Sequence, residues 1–349
     1  MPPARVTQAD VARMAGVSQA TVSLVLNAEP DRVGPATRQR VLEAIGESGY
    51  AANPVAQSLA RGRNSMIGVF TYEPVFPHGG GDFYRPFLIG IEAEAERQGS
   101  DLLLFTSAEV VDGKRRLSGR SRARLVITDG CLLLGRTEDK GELAHLLEDG
   151  PPFVFVGRRR LPGGDLPYVG ADYIRATGDV VRLFLEHGHE RIGFLGEMDA
   201  RESLRDRLDG YRVAMRAAEM PTSEFDAAGR TPDEIVELVV GNRLTGLLLA
   251  ESHRAEEIRS AAAARGLDVP RDLSMAVLGQ PEIPLDTPLA WTGFRIPREE
   301  MGAQALALLV ELIETRTKQT ERHRLLPCLI EAGETVTAPP ARSAPGGDT

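Results

Sequence analysis

The chain has 349 residues, 42% of them apolar and 26% charged, with a net charge of −9. At roughly 150 residues per domain, that predicts two to three domains with real cores and excludes a uniformly basic nucleic-acid coat. Two cysteines, Cys131 and Cys328, are too few for a disulfide framework or a zinc module and fit a reducing compartment.

No apolar run approaches the roughly 18 residues that span a membrane. Residues 1–5 lack the apolar core of a secretory signal. A soluble, cytoplasmic protein with no membrane partner is expected. Charge is uneven: residues 1–63 sum to +2 and the rest to −11. A basic head on an acidic body predicts a polyanion contacted at one end only.

The head reads as short helices. Thr7 with Asp10 three residues on has the form of a capping box opening a helix over 8–14. Gly16 supplies the backbone freedom for a tight turn. Ser18 then caps a second helix over 19–26. Gly34-Pro35 opens a third, with Val41, Leu42 and Ile45 marking its buried face and Gly49 ending it. The first two helices share too little apolar surface to stand alone, so a three-helix core of Val11, Ala15, Val17, Val22, Val25 and Ile45 is expected. Such packing leaves Gln19, Ala20, Ser23, Leu24 and Asn27 on a face free to enter a major groove. Glutamine bonds the adenine edge there, and alanine or leucine touches a thymine methyl. Ser18, Thr21 and Asn27 are short polar groups suited to phosphates. The stretch over 53–61 has little apolar face and is a marginal helix alone.

From Met66 the pattern becomes alternating strands and helices. Strands are predicted over 66–70, 101–105, 130–134, 153–157, 168–171, 191–196, 246–250 and 274–279. Helices are predicted over 83–98, 174–187, 203–219 and 254–265. Short apolar strands between amphipathic helices argue for parallel sheets covered on both faces, and the length calls for two of them. His187-Gly188-His189 reads as a helix C-terminus. Residues 339–349, rich in Pro, Gly, Ala and Ser, are expected to be disordered.

Catalysis finds no support. There is no Gly-Lys-Ser/Thr phosphate loop and no Gly-x-Ser-x-Gly elbow. Gly79-Gly80-Gly81 does not match a dinucleotide fingerprint, and the six histidines show no metal-ligand spacing on one helix face. No cofactor, no metal and no enzymatic activity are expected.

The run Val6-Thr7-Gln8-Ala9-Asp10-Val11-Ala12-Arg13-Met14-Ala15-Gly16-Val17-Ser18-Gln19-Ala20-Thr21-Val22-Ser23-Leu24-Val25-Leu26-Asn27 resembles the head of the lactose-repressor/purine-repressor family of bacterial transcriptional regulators. So do Thr37-Arg38-Gln39-Arg40-Val41, Gly49-Tyr50 and Asn53-Pro54-Val55-Ala56-Gln57-Ser58-Leu59-Ala60. The resemblance is specific in the head and continues at fold level to about residue 339. It implies a small all-α helix-turn-helix head on an α/β body of two doubly wound parallel-sheet subdomains, periplasmic-binding-protein-like. The implied boundaries are 1–52 for the head, 53–64 for a hinge helix and linker, 65–160 with 292–322 for one subdomain, and 161–291 with 323–338 for the other. The chain would cross between subdomains near 160, 291 and 322.

The same resemblance implies DNA contacts from Thr7, Thr37, Tyr50 and Asn53 beside the helix residues named above. It implies a hinge helix that folds when two subunits meet on DNA. Ala56 and Ala60 would allow close approach, and Leu59 would wedge into the minor groove. It also implies a small-molecule effector in the cleft at the strand C-termini. Arg207, in Arg205-Asp206-Arg207-Leu208-Asp209-Gly210-Tyr211, matches the family's effector-bonding arginine. Phe83 and Tyr84 fall where relatives place aromatics against the ligand, with Asp82 beside them as an acceptor.

Five positions depart from the family pattern. Leu24 stands where many relatives read guanine with arginine, so readout should shift toward apolar contact and Gln19. Glu251-Ser252 replaces a common Asn-Asp pair, and Gly157 and Gly279 replace common aspartates. A neutral hexose bound in the usual way is therefore disfavoured, although Glu251 keeps an acceptor. A small polar ligand is expected, with a sugar derivative favoured; an anion, or no effector, stays open. Arg158-Arg159-Arg160 is expected to be a solvated loop. The reading is a sequence-specific regulator, a repressor, working as a homodimer on pseudo-palindromic operator DNA. A transport solute-binding protein and an enzyme on the same scaffold are the alternatives.

Overall fold

The computed structural model of the chain describes residues 6–26, 32–50, 64–76, 83–117, 119–136, 140–161, 166–199, 201–280, 289–315 and 322–340. The head holds α1 (Gln8–Ala15), α2 (Gln19–Leu26) and α3 (Pro35–Ser48). Thr7 and Asp10 form the capping box before α1, and Gly16 ends it in the left-handed conformation at φ +63°. Val11, Val22 and Val41, one from each helix, are fully buried. They pack with Ala12, Ala15, Val25 and Ala44 in one cluster, against which Val17, Ile45 and Tyr50 lie partly buried. Leu42 departs from expectation and is 46% exposed. The buried stripe of α3 runs through Val41 and Ala44, one helical turn apart, and one further residue of rotation turns Leu42 outward.

The body opens with β1 (Met66–Thr71), α4 (Arg85–Gln98) and β2 (Asp101–Phe105). A short hairpin follows, β3 (Val110–Val111) with β4 (Lys114–Arg115), then α5 (Gly119–Arg124). Next come β5 (Gly130–Leu134), α6 (Lys140–Asp149), β6 (Phe153–Val156), β7 (Tyr168–Ala171) and α7 (Tyr173–Glu186). The chain continues with β8 (Ile192–Gly196), α8 (Glu202–Ala217), β9 (Ser223–Asp226), α9 (Pro232–Gly241) and β10 (Gly246–Leu249). It finishes with α10 (Ala255–Ala264), β11 (Ser274–Val277), β12 (Thr292–Arg295), α11 (Arg298–Thr315), β13 (His323–Leu326) and β14 (Leu329–Glu331).

These strands form two six-stranded sheets, ordered β13-β7-β6-β5-β1-β2 and β14-β12-β11-β10-β8-β9. Neighbours run parallel from β5 through β6 and β7 to β13, and from β9 through β8, β10 and β11 to β12; β14 runs antiparallel to β12. Every residue of β5, β6, β10 and β11 is buried, as strands covered on both faces require. Helix α11 returns to the first sheet and packs beside α4. There the two backbones touch through small residues: a β-carbon on Gly90 would collide with the Glu299 carbonyl, and one on Gly302 with that of Phe87.

The crossings between subdomains fall after Ala171, after Arg295 and after Leu326 rather than near 160, 291 and 322. In each case one more strand still bonds into the sheet being left: β7 pairs with β6, β12 with β11, and β13 with β7. Among the described residues, no helix is long and apolar enough to cross a membrane. Residues 53–63 and 341–349, expected as hinge and tail, lie outside the described residues.

Candidate nucleic-acid interface and ligand cleft

In the head, the first turn of α2 is set by Ser18, whose Oγ accepts the Thr21 backbone N–H at 3.1 Å and lies 2.9 Å from the Thr21 hydroxyl. Gln19 and Ala20 are exposed, and Ser23 and Leu24 are half-buried, while Val22 and Val25 face the core. The Thr7 hydroxyl donates to Asp10 at 2.6 Å, and this bond is the first cause of the Asp10 carboxyl sitting below its ordinary range. Thr37 is half-buried on α3, and Tyr50 lies against the head core. Asn27, Asn53, Ala56 and Leu59, together with Asp82 of the body, lie outside the described residues.

In the body, a cavity of about 1020 Å³ opens at the C-terminal ends of both sheets. Phe83, Tyr84, Arg207 and Glu251 all line it. Arg207 is held firmly. Its Nε donates to the Leu278 carbonyl at 2.7 Å and one Nη to the Ser203 carbonyl at 2.8 Å. Its guanidinium lies 3.9 Å from the Tyr173 ring centroid and 5.8 Å from that of Phe294. Tyr84 is buried and its hydroxyl donates to Glu73. Burial, with the Glu73 charge beside it, holds that phenol far above its ordinary range. Phe83 packs edge-on to Tyr84.

Three cavity carboxylates of the second subdomain gather on one cation. Arg201 pairs with Glu197, Asp199 and Glu251. Glu251 also accepts the Glu197 N–H at 3.1 Å. Burial raises the Glu251 carboxyl above its ordinary range, with Arg201 pulling the other way.

The arginine run is not a solvated loop: only Arg160 is exposed. Arg158 pairs with the buried Asp206. Arg159 donates to the Gly135 carbonyl at 2.6 Å and stacks 4.3 Å from the Phe155 centroid. A charge partner on α8 and a carbonyl at the end of β5 draw these side chains inward. Sequence reasoning missed Tyr173, Arg201 and the cavity-facing Arg136 and Arg298. Arg201 directly precedes α8 as Phe83 and Tyr84 precede α4, and that parallel was the available signal.

Gly157 and Gly279 end equivalent strands of the two sheets at φ +109° and +119°. A β-carbon at Gly157 would lie 3.3 Å from an Arg159 Nη, and one at Gly279 3.2 Å from Arg207 Nη2. Each glycine leaves the room that an arginine fills.

Comparison with known proteins agrees with both halves of this description. Residues 7–53 match the family model of bacterial regulatory proteins, lacI family, and residues 181–336 match the periplasmic binding protein-like domain. The HTH-type transcriptional repressor CytR of Escherichia coli strain K12 is 30% identical over 350 residues, covering 95% of this chain and 97% of its own. A transcriptional regulator CelR–cellobiose complex aligns with a TM-score of 0.63 at 26% identity, covering 95% of this chain and all of that one. The lac repressor dimer bound to operator and the anti-inducer ONPF aligns at 0.68 with 22% identity, over 96% and 100% of the two chains, and supports the fold.

Proposed function

The chain belongs to the lacI family of bacterial regulatory proteins, and we infer from that membership that it is a sequence-specific DNA-binding transcriptional repressor acting as a homodimer. The free face of α2 carries this reading. Gln19 and Ala20 are exposed there, while the opposite face is locked in the head core by Val22 and Val25. A helix held in this way offers its first turn to a major groove. Gln19 bonds an adenine edge, and Ala20 and Leu24 take thymine methyls. Ser23 stands on the same groove face; Thr7, Ser18, Thr21, Asn27, Thr37, Tyr50 and Asn53 serve phosphates and register, and Ala56 and Leu59 the central minor groove. One weakly basic head binds poorly, and two heads on a pseudo-palindrome double the contacts.

The body is the sensor. A small polar effector, such as a sugar derivative, binds between its two lobes against Arg207, Phe83, Tyr84 and Glu251. Its binding alters the angle between the lobes and, through it, operator affinity, with a coupling of about 1–3 kcal/mol. Selection from random duplexes tests the reading. The full-length protein should enrich one pseudo-palindrome and shift it as a dimer; enrichment of no sequence would overturn the proposal.

A further inference from the structure

Among the described residues, seven cationic side chains and four carboxylates line the cavity, in a chain whose total charge is −9. The carboxylates are largely engaged. Arg201 holds Glu197, Asp199 and Glu251, and Glu73 takes the Tyr84 hydroxyl and the Arg136 backbone N–H. Arg207 is different: its hydrogen bonds go to two backbone carbonyls, and among the described residues no carboxylate lies within ion-pair distance.

Several of these guanidiniums share one geometry. Arg207 stacks on Tyr173, Arg159 on Phe155, and Arg136 and Arg298 on Phe83, at 3.9, 4.3, 5.3 and 5.6 Å from the ring centroids. Stacking occupies the guanidinium face and directs its N–H donors to in-plane acceptors, and Arg159 already gives two of its donors to the Arg158 and Gly135 carbonyls. A neutral hydroxyl accepts such bonds but leaves the guanidinium charge uncompensated. An oxyanion accepts them in pairs and also offsets the charge. The cations come from both lobes: Arg136, Arg159 and Arg298 stand on the first, and Arg207 on the second. Arg158 of the first lobe already pairs with Asp206 of the second, whereas Arg207 faces Arg136, Arg159 and Arg298 as a like charge, a repulsion that an anion lying between them offsets.

We infer that this cleft takes a small ligand bearing an anionic group, a carboxylate or a phosphate ester, which draws the two lobes together through their arginines. The inference rests on the reading of the cleft as the effector site and narrows its ligand class.

Calorimetry on the full-length protein tests it with four probes: glucose, gluconate, glucose 6-phosphate and inorganic phosphate. At least one anionic sugar should bind ten-fold or more tighter than glucose, and inorganic phosphate should compete with it. Raising NaCl from 50 to 300 mM should weaken that binding several-fold while leaving any glucose binding unchanged. The two sugar derivatives separate a carboxylate site from a phosphate site. Arg207→Gln should weaken the anionic ligand at least ten-fold, with partial recovery in Arg207→Lys. Arg136 is exposed, so Arg136→Gln leaves the fold undisturbed, and it should weaken the same ligand several-fold from the opposite lobe. Binding of glucose as tight as that of its anionic derivatives would overturn the anionic class while leaving the cleft as the effector site. Anionic binding indifferent to both variants would remove the site from the cleft altogether. Absence of binding by all four probes overturns the inference, and operator selection by the same preparation then shows whether the regulator reading survives.

Discussion

Arg207 Nη2 and Ile296 share the space that a side chain at position 279 would need: a β-carbon on Gly279 would lie 3.2 Å from the first and 3.1 Å from the Ile296 Cδ1. The backbone there has φ +119°, which L side chains rarely adopt. Gly279→Ala should therefore lower stability by about 1–3 kcal/mol and shift the Arg207 guanidinium within the cleft. Melting temperature reads the first effect and calorimetry the second. Unchanged ligand affinity in a folded Gly279→Ala protein would show that Arg207 keeps its function without this clearance.

Base readout rests on α2. Gln19→Ala should cost about 1–3 kcal/mol on the preferred operator and relax one symmetric pair of base positions. Leu24→Arg should restore a bidentate donor and move the preference at its own pair toward guanine. Competitive gel shifts against symmetric operator variants measure both. Equal losses on every sequence would assign Gln19 to the phosphates.

The capping box makes a separate prediction for the head. Thr7→Ala removes the side chain that accepts the Asp10 N–H and should cost about 0.5–2 kcal/mol. Amide exchange at Val11 and Ala12 in the full-length protein should accelerate by roughly 2- to 30-fold. Thr7→Ser keeps the cap and should keep the protection. If Thr7→Ser lost protection as Thr7→Ala does, the hydroxyl would not be the stabilising group.

Acid should loosen the second lobe through His189. That imidazole is buried, with Nδ1 2.9 Å from the Thr245 hydroxyl and Nε2 2.7 Å from the Thr337 carbonyl. Burial holds its pKa below the ordinary value, against the pull of the Thr337 carbonyl, and His187 adds to the depression. The unfolded chain then takes up a proton near pH 6.5 that the folded chain resists. Stability from this residue is full above about pH 6.5 and is lost as pH falls from there toward the folded value. Thermal melts from pH 8 to 5.5 should show the decline, and His189→Gln should flatten it. A wild-type slope in that variant would assign the titration to another group.

Much of the fold was legible because burial on both faces leaves an unmistakable trace. β5 and β6 are uninterrupted apolar runs, and Gly130–Leu134 was bounded to the residue. Besides β12, whose Thr292–Phe294 are buried, the strands that escaped notice are short and partly exposed. Ser223–Asp226 is an edge strand with only Phe225 apolar, and His323–Leu326 is half-exposed at the other sheet's edge. Their pairing is decided by a sheet edge waiting for them, which a local pattern does not encode. In the cleft, Arg207 and Glu251 were visible through the family resemblance. The burial of Arg158 was not, since its partner Asp206 lies on a helix of the other lobe. Charged runs read locally as solvated, and only tertiary structure brings such a counter-charge within reach.

The return of α11 to the first sheet has a consequence for how the protein is made. Its seat lies against α4 and over β5, yet it follows the whole of the second lobe's parallel strands in sequence. At about 5–20 residues per second, the stretch from Val156 to Thr315 takes roughly 8–30 s to emerge from a ribosome. Throughout that interval the first sheet has one bare apolar flank, while the head, whose three helices are contiguous, already has all its parts. The nascent protein therefore passes through a period when a complete DNA-reading module is tethered to an unfinished and sticky body. A chaperone that shields this flank would act before residue 315 is translated, and truncations ending short of it should aggregate rather than yield a free-standing first lobe.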